Sequence, residues 1–207
     1  MFREHTPQLV KKIFPDMIWN FPDRKNELFL SFDDGPTPEI TEKVLEILKV
    51  YQAKATFFCL GKNAEQHPEI FQKILEQGHS VGNHTYSHLN GWKTPTEEYL
   101  QDIELSSSIF KSSLFRPPYG KMKPQQIQII KKTYHIVLWE VLSADFDRTV
   151  SKDKCLKNVL HFSKDGSIIV FHDSIKASKN MLYVLPHMLN FYTEKGKKFS
   201  SINMNMD

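Results

Sequence analysis

The stretch SIIVFHDS, Ser167–Ser174, holds the plan of the whole chain. Ile168, Ile169, Val170 and Phe171 run without a polar interruption and then give way at once to His172, Asp173 and Ser174. A strand that is apolar at successive positions is buried on both faces, as a parallel strand covered by helices is. In parallel α/β folds the loops at the carboxyl ends of the strands build the active site. A polar cluster directly after such a strand is therefore a candidate piece of one.

Outward from this stretch the same arrangement recurs. Apolar runs at Glu27–Phe32, Ala55–Leu60, Ser80–Gly82, Leu114–Phe115, Ile136–Leu142, Ser167–Phe171 and Lys198–Ile202 read as strands. Between them, Pro38–Tyr51, Asn63–Gln77, Thr96–Ser112, Lys123–Thr133, Ser151–Phe162 and Asn180–Lys195 place apolar residues three and four apart, the period of an amphipathic helix. Thr37 before Pro38 reads as an N-cap, and Gly78 as a helix stop. The βαβα alternation predicts one α/β domain, a closed or nearly closed barrel. Residues 1–24 have mixed character and read as an N-terminal extension packing across the barrel as a lid or bottom plug.

Bulk properties narrow the function classes. The chain has 207 residues and a formal net charge of +3, with Lys and Arg spread along it rather than gathered into the dense block that tracks a phosphate backbone. Nucleic acid is excluded as a partner on this reading, and no apolar run is long enough to span a membrane. The start, Met1-Phe2-Arg3-Glu4-His5, lacks the apolar core and cleavage site of a secretory signal, so the expected location is the cytoplasm. Cys59 and Cys155 read as inert, reduced and buried thiols. Nothing in the sequence sets the oligomeric state.

The polar clusters carry the chemistry. SFDDGP closes the first strand, GNHTYSH the third, FRPPYG the fourth, SADFD the fifth and VFHDS the sixth. In HTYSH, His84 and His88 stand four apart, a separation that brings two imidazoles to one side of a helical turn. Two imidazoles suit zinc, and a catalytic site needs a third protein ligand, for which Asp33 and Asp34 are the available carboxylates. Alone, an HxxxH is a solvated histidine pair as readily as a metal site, and an Asp-Asp-Gly turn can simply satisfy its own backbone amides. Their occurrence at successive strand ends, with an arginine, a second acid and a further histidine, makes chance assembly implausible.

These five motifs, in this order and over roughly Glu27–Ser174, resemble the signature motifs of the polysaccharide deacetylase (NodB-homology) family of carbohydrate esterases. The resemblance implies a distorted (β/α) barrel of seven or eight mostly parallel strands, with residues 25–207 as the NodB-homology domain. It implies a divalent metal, zinc by default with cobalt or nickel as alternatives, held by Asp34, His84 and His88. Asp33 would be the base that takes a proton from a metal-activated water, with Arg116 orienting it through a salt bridge. The backbone amide of Tyr119 would stabilise the oxyanion, on a turn stiffened by Pro117 and Pro118. His172 would protonate the departing amine, with Asp145 as its partner. Pro117, Tyr119, Phe146 and Val170 would line the substrate pocket, Phe146 standing where the family commonly has tryptophan and Val170 where it has leucine. Tyr86, Trp92 and Tyr119 are candidates for stacking on sugar rings, and Asp173 for anchoring its loop.

The implied activity is removal of acetyl groups from N-acetylated sugars in oligo- or polysaccharides. Three other readings compete. Two histidines and a carboxylate also describe the facial triad of a non-haem iron oxygenase, but that chemistry needs neither the Asp33 with Arg116 pair nor the His172 with Asp145 pair. A non-catalytic carbohydrate-binding relic is the second, and because every expected catalytic position is filled, its loss of activity would have to come from blocked access. A deacylase of another small amide or of an O-acetyl ester is the closest rival, because the motifs specify deacylation better than they specify a polymer.

Overall fold

In a computed structural model the described residues are 4–204. In chain order the elements are α1 (Gln8–Ile13), β1 (Glu27–Asp33), α2 (Ile40–Val50), β2 (Ala55–Cys59), α3 (Gly61–Gln66), α4 (Pro68–Glu76), β3 (Ser80–Asn83) and α5 (Thr96–Ile109). They continue with β4 (Leu114–Phe115), α6 (Pro124–Ile130), β5 (His135–Ile136), β6 (Val141–Leu142), α7 (Lys152–Phe162), β7 (Ile168–His172), α8 (Ser178–Glu194) and β8 (Lys198–Phe199). The strands lie in the order β5-β4-β3-β2-β1-β7-β6, all pairs parallel, with β8 added beside the start of β1. This is the distorted (β/α) barrel that the sequence predicts.

The period of two along each strand sorts the chemistry. On β1, Leu28, Leu30 and Phe32 belong to the large core under the helices, with Met181, Leu185 and Leu189 of α8. Their neighbours Phe29, Ser31 and Asp33 point the other way, into the barrel. Phe29 packs there against Phe58, Ile168 and Ile202. On β7, Ile169 and Phe171 join the outer core, whereas Val170 and His172 face the cavity at the top of the barrel. The interior therefore grades from apolar at the bottom to ionisable at the carboxyl ends of the strands. Each fully buried Leu or Phe contributes roughly 1.5–3 kcal/mol, which makes the outer core the main source of stability.

The expected strand Ile136–Leu142 is broken in two. Its first part pairs with β4 at one edge of the sheet and its second with β7 at the other. Val137 donates to the Phe115 carbonyl at 2.9 Å, and three residues later Glu140 donates to that of Ile168 at 3.0 Å. Residues 135–142 form the seam that joins the two edges. A continuous apolar run cannot record that its partner changes midway.

Residues 4–21 run along the seam. Ile18 donates to the Ile136 carbonyl and accepts from Leu138, Thr6 donates to the Glu140 carbonyl, and Phe21 donates to that of Gly166. The fully buried Glu140 carboxylate fastens this segment, accepting from Lys11, from Asn20 at 3.2 Å and from Ser167 at 2.6 Å. Burial alone would raise its pKa, but Lys11 and Ser167 outweigh that and hold it low.

Two helix limits differ from expectation. The segment Asn63–Gln77 is two helices, because Pro68 disfavours helical geometry at His67, whose φ is −132°. The N-cap of α2 is Glu39 rather than Thr37. Gly78 is a helix stop as read, at φ 74°. Among the described residues no helix is long and apolar enough to cross a membrane.

Gly166 has φ 77°, and a Cβ there would lie 1.8 Å from the Phe21 carbonyl oxygen. Gly166→Ala is expected to remove about 2 kcal/mol or more of stability, read as a lower urea midpoint. An unchanged midpoint would show that the N-terminal segment does not dock there.

Candidate active site

The end of β1 places two adjacent carboxylates in different roles. Asp33, still in the strand, points inward, where its Oδ1 accepts from Nη1 of Arg116 at 2.7 Å. Asp34 leaves the strand with φ 82° and turns toward the histidines. That turn is held from below by Asp173, which accepts from the Gly35 amide at 3.0 Å and from the Thr41 hydroxyl at 2.6 Å. A Cβ on Gly35 would meet the Asp173 carboxylate at 2.0 Å, so only glycine allows this approach. Burial pushes the Asp173 carboxyl up to about 7, against the pull of the Thr41 hydrogen bond. Asn63 closes the turn from the other side by donating to the Asp34 carbonyl at 2.7 Å.

The segment HTYSH is a loop after β3, with Thr85 at φ 65° and His88 at φ 62°. It is shaped by side chains. The Asn83 side chain accepts from the Thr85 amide, the Thr85 hydroxyl accepts from the His88 amide, and Asp102 of α5 accepts from the amides of both Tyr86 and Ser87 at 2.9 Å. The result brings the imidazoles of His84 and His88 together, with ring centroids 5.2 Å apart.

Asp34, His84 and His88 each offer a ligand atom, all within 4.8 Å of one another. Nε2 of His88 is 3.2 Å and Nε2 of His84 is 3.8 Å from Oδ1 of Asp34, an oxygen that is buried and without a hydrogen-bond partner. An orphaned buried carboxylate oxygen facing two imidazole nitrogens fits a divalent cation bound among them. The electrostatics agree. Burial of Asp34 is outweighed by the His88 imidazole beside it and by the charge of His172, which hold its carboxyl well below the usual range. Burial pulls the His84 imidazole down to about 4, so it is neutral near pH 7, as a ligand must be. With Nδ1 of His84 donating to the Arg116 carbonyl at 2.7 Å, Nε2 carries the free lone pair.

On the opposite wall, His172 ends β7 with Nδ1 2.8 Å from Oδ1 of Asp145, whose Oδ2 accepts from the His172 amide at 2.8 Å. Burial alone would lower the His172 pKa; Asp145, helped by Asp34 and Asp33, overcomes this and raises it to about 9. Phe146 stands edge-on to the imidazole at 4.9 Å. The walls enclose a cavity of about 720 Å³, lined among others by Asp33, Tyr119, Trp139, Phe146, Val170 and His172. A second hollow of about 540 Å³ shares Asp34, His88, Ser174 and Lys176 with it, so the cleft continues past the histidines.

The sequence-derived residues are thus drawn to one place. Arg116 and Asp145 stand behind Asp33 and His172 rather than in the cavity lining, and Pro117 is buried behind the turn that displays Tyr119 at φ 61°. Of the candidate stacking aromatics only Tyr119 lines the cleft. Tyr86 bonds Glu65, and the indole of Trp92 donates to the Met122 carbonyl. Sequence reasoning passed over Thr41, Asn63, Asp102 and Trp139. Trp139 lay inside a run read as strand, and the others sit in helices with no motif around them. Cys59 and Cys155 are free and buried, with thiols raised by burial, that of Cys155 to about 12.

The barrel and the order of the motifs at its strand ends point to one family of proteins, and the chain belongs to the polysaccharide deacetylase family, which it matches over residues 21–136. A peptidoglycan-N-acetylglucosamine deacetylase of Bacillus cereus is 41% identical over 160 residues, 74% of this chain but 58% of the relative. A second protein of that name and organism is 29% identical over 194 residues, 90% of this chain and 91% of the relative. The chain also superposes on the crystal structure of a peptidoglycan N-acetylglucosamine deacetylase in complex with 4-naphthalen-1-yl-N-oxidanyl-benzamide, with TM-score 0.87, 34% identity and 95% coverage of both chains.

If Asp34, His84 and His88 are the ligands, His84→Ala and His88→Ala should each weaken zinc binding at least 100-fold in a chelator competition. Stoichiometric zinc retained by both variants would eliminate this ligand set.

Proposed function

We propose that the protein is a metal-dependent hydrolase that removes acetyl groups from N-acetylated sugars in oligo- or polysaccharides, with glycans containing N-acetylglucosamine as the substrate class. The observation that carries this reading is the placement of two carboxylate-anchored groups, Asp33 with Arg116 and His172 with Asp145, around one cavity that also holds the three ligand residues. The relatives named for peptidoglycan-N-acetylglucosamine deacetylation support the substrate class.

Asp34, His84 and His88 would hold a divalent cation, whose Lewis acidity would lower the pKa of the attacking water and offset negative charge on the acetamide oxygen. Zinc suits two imidazoles and one carboxylate, and cobalt and nickel are the alternatives. Asp33 accepts the proton of the attacking water, and Arg116 fixes the direction in which its carboxylate points. The Tyr119 amide donates to the oxyanion that forms as the carbonyl carbon becomes tetrahedral. Trp139, Leu142, Phe146 and Val170 give the acetyl methyl an apolar wall. When the carbon–nitrogen bond breaks, His172 gives its proton to the nitrogen, so that a neutral amine leaves and acetate remains. An amide anion would be far too basic to leave, which is why the site holds a cationic imidazole here.

The deciding experiment is acetate release from chitooligosaccharides, peptidoglycan fragments and acetylated xylan, using protein stripped of metal and reconstituted with zinc, cobalt or nickel. Metal-dependent release from an N-acetylated glycan is the expected result. Release only from acetylated xylan would move the protein to O-deacetylation, and no release with metal bound would overturn the activity. Asp33→Asn should keep its metal and lose turnover by about 10²–10⁴; a near-normal rate would remove Asp33 as the base.

The acid has its own signature in pH. His172 must be protonated to act, so the alkaline limb of the rate falls as pH rises through its pKa of about 9. Asp145→Asn removes the charge that raises this pKa while leaving the burial that lowers it. The alkaline limb of kcat should then move down by roughly one to three pH units. A limb that stays in place would assign it to another group.

A further inference from the structure

The two imidazoles of the cation site are supported in unlike ways. Nδ1 of His84 is bound to the Arg116 carbonyl inside the barrel, where both residues are buried. The His88 side chain is 27% exposed, and its Nδ1 meets not a backbone group but the hydroxyl of Tyr119, at 3.1 Å. The two rings stand edge to face with centroids 4.7 Å apart. Tyr119 is itself 53% exposed and lines the cleft together with Asp33 and His172. The orienting partner of one ligand is therefore part of the wall that a substrate touches.

The backbone of Tyr119 is not free to adjust. Its φ is 61°, and Gly120 follows at φ 65°, where a Cβ would lie 2.9 Å from the Trp139 ring. The side chain alone can turn, and His88 is the one group to which its hydroxyl is bonded among the described residues. A phenol hydroxyl both donates and accepts, so it serves His88 in either tautomer. When Nε2 of His88 is given to a cation, Nδ1 carries the proton and the Tyr119 oxygen accepts it. Partners of this kind fix ring orientation and raise ligand basicity, and their loss costs roughly 10–100-fold in metal affinity.

We propose that the Tyr119 side chain is a positioning residue for His88 and that, through it, occupancy of the cleft by a glycan strengthens cation binding. This rests on the reading of Asp34, His84 and His88 as the cation site and of the cleft as the glycan site. A sugar ring against the exposed face of Tyr119 restricts its rotation and keeps the hydroxyl on His88. By linkage the effect is reciprocal, so the cation strengthens glycan binding by the same factor.

The test measures the zinc dissociation constant by chelator competition in two proteins, Asp33→Asn and Asp33→Asn with Tyr119→Phe. The first substitution keeps N-acetylated chitooligosaccharide uncleaved, and each protein is measured without this glycan and at a concentration that calorimetry shows to saturate the cleft. Tyr119→Phe keeps the ring and the backbone amide and removes only the hydroxyl. The expected result is zinc binding roughly ten-fold weaker without the hydroxyl, together with a glycan-induced tightening that is present with Tyr119 and absent in the Tyr119→Phe protein. A purely structural loss would weaken zinc equally with and without glycan, so the glycan-dependent factor separates the two roles. Equal zinc affinity in both proteins, or equal or no tightening in both, overturns the proposal while leaving the deacetylase reading intact. Failure of the first protein to bind zinc or glycan at all overturns the underlying reading of the site.

Discussion

The fold and the site both depend on the burial of one guanidinium. Arg116 is fully enclosed, and a charge in such a place is tolerable only when paired and hydrogen-bonded. It is satisfied from three directions. Nη1 donates to Asp33 and to the Ser31 hydroxyl, Nε donates to the Val137 carbonyl at 3.1 Å, Nη2 donates to that of Leu138 at 2.9 Å, and the Phe58 ring lies 3.9 Å from the guanidinium carbon. Val137 and Leu138 lie in the middle of the seam, where their amides bond the Phe115 and Ile18 carbonyls while their own carbonyls accept from the guanidinium. The same residue also offers its backbone carbonyl to His84. Closure of the barrel, the direction of the Asp33 carboxylate and the orientation of the His84 ring are therefore properties of a single side chain and its peptide. Loss of the guanidinium would leave a buried carboxylate and two carbonyls unpaired, so a damaged Arg116 shows in folding as well as in turnover.

A second anchor works by the same logic at lower charge. Asp173 holds the Asp34–Gly35 turn through the Gly35 amide and through Thr41 at the start of α2, tying β1, β7 and a helix to one carboxyl group. The sequence neighbours Asp33 and Asp34, and His172 and Asp173, thus divide in parallel fashion. In the first pair Asp33 faces the cavity beside Asp34, which turns toward the two histidines, and in the second His172 faces the cavity while Asp173 braces the turn opposite. The hydrogen bonds that link β1 to β7, including Asp173 amide to Asp33 carbonyl at 3.1 Å, keep the two pairs in register.

Much of this was legible in the sequence because burial on both faces leaves uninterrupted apolar runs, and the residues that end them are polar for a reason. SFDDGP, HTYSH, RPPYG, SADFD and VFHD appear as separate clusters, and parallel topology brings their strand ends together. What stayed hidden was the choice of long-range partner. Nothing local marks the change of edge within 135–142, the reach of Asp102 from α5 to the Tyr86 and Ser87 amides, or the meeting of Tyr119 with His88. The exact form of the HTYSH loop was hidden for a related reason: Thr85, β-branched and at φ 65°, is of a type that rarely adopts left-handed backbone, and the surrounding hydrogen bonds impose it. The break at His67 was readable from Pro68, a local rule outvoted by the helical period on either side.

Asp34, Thr85, His88, Tyr119 and Ala144 all hold left-handed backbone around the cleft, a conformation that costs a non-glycine residue of order 1–3 kcal/mol. Glycine would relieve that strain, yet at the first four positions it would delete a member of the Asp34, His84 and His88 cluster, a hydroxyl that braces His88, or the aromatic wall. At Ala144, which is 6% exposed, it would remove a buried methyl and lose on packing much of what it gained. The rim of the barrel is thus a place where stability and activity trade against each other, and where selection for robustness has no free move. Heat resistance in this scaffold has to be built into the outer helices and the N-terminal strap, leaving the strained ring as it is.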